Sequence, residues 1–143
     1  MASVKDVADY ILQKLDAMSA MKLQKLVYYT QAWSLAWDEE ELFSEEIEAW
    51  ANGPVVRELY ELHRGRYRLG KGFFGGQIDV LTNGQRDTID RVIAFYGDKD
   101  PQWLSDLTHM EAPWREARQG LADGERGNRI IPKETMLEYY SSL

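Results

Sequence analysis

Met21-Lys22-Leu23-Gln24-Lys25-Leu26-Val27-Tyr28-Tyr29-Thr30-Gln31-Ala32-Trp33 is the stretch whose reading decides the fold. Leu23, Leu26, Val27, Thr30 and then Trp33 or Ser34 recur at steps of three and four, the period of a helix. Tyr28, Tyr29 and Trp37 place large rings on its further faces. A helix that is apolar on most sides is covered on most sides, so the stretch predicts the central helix of a helical domain, running to about residue 37. Ser19 is suited to cap its start, and Met18 and Leu23 sit where a hydrophobic staple packs. Trp33, and with it Trp50, is expected in the core. Lys22 and Lys25 run against the local pattern, because the first turns of a helix disfavour positive charge. Two reasons carry equal weight: they pair with the carboxylates of 38–48, or they reach a partner.

Outward from this helix the chain keeps a helical rhythm. Val4, Val7, Ala8, Ile11, Leu12 and Leu15 form an amphipathic stripe, which predicts a first helix over 4–15 capped by Ser3, with Asp6 at its positive end. After the central helix, 43–50 mixes aromatics and a β-branched residue with glutamates and reads as a short extended piece or small hairpin. Gly53-Pro54 punctuates the chain. Proline suits a first helical turn, so a helix is expected from Pro54, carrying Val55, Val56, Leu59, Tyr60 and His63. Five glycines between residues 65 and 76 then break any helix, and 64–82 reads as a long loop with a short strand at 77–81. Further helices are predicted over 85–96, ending at Gly97, then from Asp100-Pro101, from Pro113 to near Gly120, and from Pro132; 123–128 is a turn-rich loop. The expected fold is mainly α: a compact single domain, 1–143, of about six or seven helices with a small β element near 43–50, 77–81 or both.

Bulk properties narrow the function classes. The chain of 143 residues is long enough to bury a core without staples. Its net charge of −7 argues against a protein that wraps nucleic acid, since such binding rests on basic patches. Without cysteine, disulfides and thiolate metal sites are impossible, and the composition fits a reducing cytoplasm. The first residues carry no apolar signal-peptide core, and no apolar run approaches 18 residues, so neither secretion nor a membrane span is expected. Five Trp and eight Tyr favour a core that opens onto an interface.

Three segments together carry a family resemblance. The first is the helix quoted above. The second is Ile47-Glu48-Ala49-Trp50-Ala51-Asn52-Gly53-Pro54-Val55-Val56, and the third is Leu107-Thr108-His109-Met110-Glu111-Ala112-Pro113-Trp114-Arg115-Glu116-Ala117. In order and spacing the chain resembles the Panacea domain, the SocA-like antitoxin family, from about Val4 to Tyr140. Ser34 stands where that family often has a bulkier polar residue, and Asn52 where it often has an aromatic. The resemblance implies an antitoxin that neutralises a co-encoded toxin by direct protein–protein binding, with no cofactor and no catalytic role. A second implied role is a proteolytic adaptor that hands its bound toxin to a AAA+ protease. The resemblance also assigns a mostly structural role to Lys22, Leu23, Gln24, Lys25, Tyr28, Trp33, Trp50, Gly53, Pro54, Val55, His109, Glu111, Pro113 and Trp114, and it leaves toxin recognition to exposed residues around them.

Few residues suggest catalysis. His109 and Glu111 are the one polar pair within a motif, and the alternative of another class is a hydrolase using them. Spaced by two, they do not share a helical face, and a second histidine ligand is missing. Hydrogen bonds from both to the backbone between two short helices are the commoner reading. The run from Gly70 to Gly76 lacks the spacing and the Lys-Ser/Thr ending of a phosphate loop. Two charged stretches are candidates for partner binding. Seven carboxylates and no cation lie between residues 38 and 48, Glu39, Glu40 and Glu41 among them. Arg64, Arg66, Arg68 and Lys71 form the basic counterpart. Within the fold the two stretches can balance each other; otherwise one of them faces a partner.

Overall fold

The axis of the structure is helix α2 (Ala20–Asp38), in which twelve residues are buried. Its apolar residues point to every side, so helices pack all round it, as the sequence predicts. Ser19 caps the helix, its Oγ accepting the Lys22 N–H at 3.1 Å. The computed structural model describes residues 2–143; Met1, the first residue of the expected domain, lies outside the described residues. Around α2 pack α1 (Val4–Leu15), α4 (Asn83–Tyr96), α5 (Pro101–Met110) and α7 (Lys133–Ser141). Two shorter helices, α3 (Arg57–His63) and α6 (Ala112–Ala117), bring the number to seven among the described residues.

The helix ends obey local chemistry. Asp6 accepts the Ser3 N–H at the start of α1 at 2.8 Å. Thr82 and Gln85 cap α4 reciprocally, and Asp100 accepts the Trp103 N–H at the start of α5. At its far end α2 leaves the core. Trp33 is half-buried, not enclosed as expected, and donates its indole N–H to the Tyr96 hydroxyl at 3.0 Å. Trp37 lies on the surface, stacked on Trp33 and covered by the Arg91 guanidinium.

Two small antiparallel sheets complete the fold among the described residues. Strand β2 (Ile47–Trp50) pairs with β3 (Gly53–Val56) across a two-residue turn, with Trp50 opposite Gly53 and Ile47 opposite Val56. The expected helix start at Pro54 is therefore wrong: Pro54, Val55 and Val56 are strand residues, and the helix begins at Arg57. The N–H that Pro54 lacks is not needed, because the Ala49 N–H opposite it donates to the Arg129 carbonyl at 2.8 Å. Residues 129–131 thereby lie along the outer edge of β2. The second sheet joins β1 (Met18–Ser19) to β4 (Arg68–Leu69), where the sequence shows no strand signal. At 77–81 the expected strand is a 3₁₀ turn, Ile78–Val80.

The glycine-rich loop is tied down by α1. Asp9 is buried, and its carboxylate accepts the N–H groups of Phe74 at 3.1 Å and Gly76 at 2.6 Å. Asp6 takes the Gln77 N–H at 2.6 Å. These amides bind the protein's own carboxylates and offer no cradle to an exogenous phosphate. Gly76 lies so close to the Lys5 carbonyl that a side chain would overlap it. Replacing Asp9 with Ala removes two charge-assisted hydrogen bonds and strands the loop amides, so Asp9→Ala is expected to cost about 3 kcal/mol. The urea unfolding midpoint measures this; an unchanged midpoint contradicts the anchoring role.

Candidate binding cleft

The three sequence motifs meet at one place, and polar atoms of α2 join them. Gln24 reads the backbone of Val56 with both ends of its amide: Oε1 accepts the N–H at 2.9 Å and Nε2 donates to the carbonyl at 3.3 Å. Its Nε2 also lies 3.0 Å from the His63 Nε2. Lys25 donates from Nζ to the Pro54 carbonyl at 3.1 Å. Gly53 packs so tightly against Lys25 that a Cβ would overlap the Lys25 Cε, and its φ of +129° favours glycine independently. The third motif closes the join. Trp114 donates its indole N–H to the Trp50 carbonyl at 2.8 Å, and Glu111 accepts the hydroxyls of Tyr29 and Tyr140 at 2.8 and 2.7 Å.

In front of this junction opens a cleft of about 850 Å³, between the start of α2, the β2–β3 hairpin, α3, and the loops at 64–67 and 126–128. Trp50 stands in its wall, half-buried and not in the core as expected. The Trp50 ring is fixed by an indole hydrogen bond to Glu48 at 2.8 Å and by edge contact with Tyr60. Arg57 holds the same Glu48 at 3.0 Å and leans over the Trp50 ring. The far rim is set by Arg118, buried without a carboxylate partner among the described residues. Its guanidinium donates to the carbonyls of Ala49, Ala122 and Glu125 and stacks on Trp114. This clamp positions the loop that carries Arg126 to the cleft.

Burial tunes the ionisable groups here. The Lys25 amine is wholly enclosed and hydrogen-bonds one carbonyl, and desolvation lowers its pKa from 10.5 to about 8. Burial also pulls the His63 imidazole below its ordinary pKa, and the nearby Lys25 charge acts in the same direction. The Glu111 carboxyl is pushed up by desolvation, against the pull of its two tyrosine hydroxyls.

Several expected contacts are redirected. Lys25 serves the hairpin backbone, and neither it nor Lys22 forms an ion pair with 38–48 among the described residues. The acidic stretch is held by other partners: Glu41 by Lys133 at 2.6 Å, Glu48 by Arg57, and Asp38 by the Thr88 hydroxyl. Glu39 and Glu40 are exposed at the end of α2. The basic cluster does not balance that stretch. Lys71 pairs with Asp16 at 3.0 Å, Arg68 donates to the Ala17 carbonyl, and only Arg64 and Arg66 line the cleft. His109 and Glu111 are held by different partners. His109 stacks face to face on Trp114, with centroids 4.0 Å apart, and contacts the Asn52 backbone; Glu111 binds tyrosine hydroxyls, not the expected backbone. Arg57, Arg118 and Arg126 escape a sequence reading, because no local pattern marks them: Arg57 is held by Glu48 from across the hairpin, and Arg118 by the Ala49 carbonyl 69 positions away.

A family model described as antitoxin SocA-like, Panacea domain, matches residues 23–115, which span most of α2, the hairpin and α3 through α6. The chain belongs to the SocA-like antitoxin family. No curated protein and no solved structure matches it. Two helices that lie outside the Panacea match, α1 and α7, still pack on α2, and α7 supplies Tyr140 to Glu111.

Lys25 sets a pH dependence. A lysine with a depressed folded pKa destabilises the fold while it is charged, so stability rises as pH passes from about 8 towards 10.5. Between about pH 7.5 and 9.5 the wild-type protein is expected to gain ~2 kcal/mol from this group. Lys25→Met is expected to flatten that rise. Chemical denaturation across the window checks it, and an equal rise in the variant assigns the dependence elsewhere.

Proposed function

We propose that this chain is an antitoxin that neutralises a co-encoded toxin by binding it directly, without turnover, in the cytoplasm, and that it works as one Panacea domain. The observation that carries this reading is the match to the SocA-like antitoxin family over residues 23–115. The packing of α1 and α7 on α2 supports treating the rest of the chain as part of the same unit. Direct binding is further supported by the cleft, whose walls come largely from the matched segment and whose aromatic lining suits a protein interface.

The motif residues divide between two roles in this reading. Leu23, Tyr28, Gly53 and Pro54 hold the framework, as do Glu111 and Trp114. Trp50 and Val55, on the cleft wall, join structure to recognition. Expressed alone, the protein is expected to be harmless. Co-expressed with the product of the neighbouring gene, it is expected to restore growth and to co-elute with that product in size-exclusion chromatography. A toxic neighbour that is neither rescued nor bound overturns the antitoxin reading.

A further inference from the structure

The cleft inverts the charge of the molecule that carries it. The chain has a net charge of −7, yet the cleft is lined by five cations, Lys25, Arg57, Arg64, Arg66 and Arg126, against the single carboxylate of Glu61. Arg57 is committed to Glu48 and Glu61, at 3.0 and 3.7 Å. The other four cations have no carboxylate at ion-pair distance among the described residues. Lys25 lies in the floor, wholly buried, with one of its three donors on a carbonyl. A charge in a low-dielectric floor beneath an open cleft focuses positive potential into it. The rim adds aromatic surface: Tyr67 is 80% exposed, and Trp50 and Tyr60 are half-buried.

We propose that this cleft is the toxin-docking site and that it receives an acidic segment of the toxin, whose carboxylates engage Arg64, Arg66 and Arg126 while its apolar side chains rest on Trp50, Tyr60 and Tyr67. The proposal rests on the antitoxin reading above. Charge complementarity selects the occupant, since guanidinium forks match carboxylates and exposed aromatics supply apolar anchors. A phosphate-bearing ligand fits less well. Two of the backbone amides that a phosphate would use at the start of α2 are already taken, Ala20 by the Tyr67 carbonyl at 2.8 Å and Lys22 by Ser19. The recognising groups are side chains drawn from separate loops, a layout that follows an extended segment.

The test measures binding of the purified neighbouring gene product to the full chain by calorimetry at several salt concentrations. Arg64→Ala/Arg66→Ala/Arg126→Ala is compared with a charge-matched control outside the cleft, Lys14→Ala/Arg91→Ala/Arg115→Ala. The cleft variant is expected to raise Kd about 30-fold or more at low salt and to lose much of the salt dependence, with an unchanged melting temperature. The control is expected to shift Kd by less than about 3-fold. A wild-type protein that binds the toxin, with equal losses in both variants or none in the cleft variant, overturns the cleft assignment and leaves the antitoxin reading intact. A wild-type protein that does not bind the toxin overturns both. ATP and inorganic phosphate are titrated as rival probes: saturable binding that the cleft variant loses makes the cleft a phosphate site and overturns the acidic-segment proposal. Lys25→Met serves as a second variant. With the rim intact it is expected to weaken toxin binding several-fold, and an unchanged Kd removes the floor charge from the proposal.

Discussion

Buried polar side chains of α2 take the place of backbone partners for the segment that follows it, and the rest of the structure depends on this. Gln31 accepts the Leu42 N–H at 2.7 Å and donates to the Phe43 carbonyl at 2.8 Å. Gln24 does the same for Val56, and Lys25 donates to the Pro54 carbonyl. A two-stranded hairpin leaves much of its backbone unpaired, and a buried unpaired amide or carbonyl is costly. By supplying partners from a helix, the fold can bury a hairpin that has no larger sheet to join. The hydrogen bonds also fix the register, because a shift of one residue would carry these backbone groups away from their side-chain partners.

The consequence for the cleft is a preorganised wall. Trp50 is held through its carbonyl by Trp114, through its indole by Glu48, and through its ring face by Arg57. Arg118 fixes the opposite rim through three carbonyls. A site already in its bound shape loses less entropy on association than a mobile one, which leaves more of the contact energy as affinity. The network therefore converts the stability of the core into readiness of the surface.

How much of this was legible in the sequence depended on range. The helices follow from the 3.6-residue rhythm and from capping residues a few positions away, so their extents are close to expectation. Pro54 misled because the same residue suits a first helical turn and an edge strand; the deciding facts, Lys25 under its carbonyl and Arg129 opposite Ala49, lie 29 residues away in one case and beyond the hairpin in the other. The two tryptophans misled for a related reason. Large rings on a helix or strand predict contact, but an indole N–H needs a polar partner, and Trp33 and Trp50 find theirs at the edge of the core. The cleft left two traces in the sequence, the lysines placed against the helix dipole and the basic cluster that supplies Arg64 and Arg66. Lys25 proved to be its floor, whereas Arg126 sits in a turn-rich loop with nothing local to mark it.

The tyrosine–glutamate cluster also governs the order in which the molecule can be completed. Tyr28 and Tyr140 are 112 positions apart, and their hydroxyls meet at 3.0 Å beside Glu111. During synthesis α2 emerges with its rings exposed, and the residue that closes the cluster emerges 112 positions after Tyr28. Contacts of such long separation form late and slowly. The nascent chain therefore carries an open aromatic seam until α7 follows, and a chain cut short before residue 140 leaves its central helix uncovered on the α7 side.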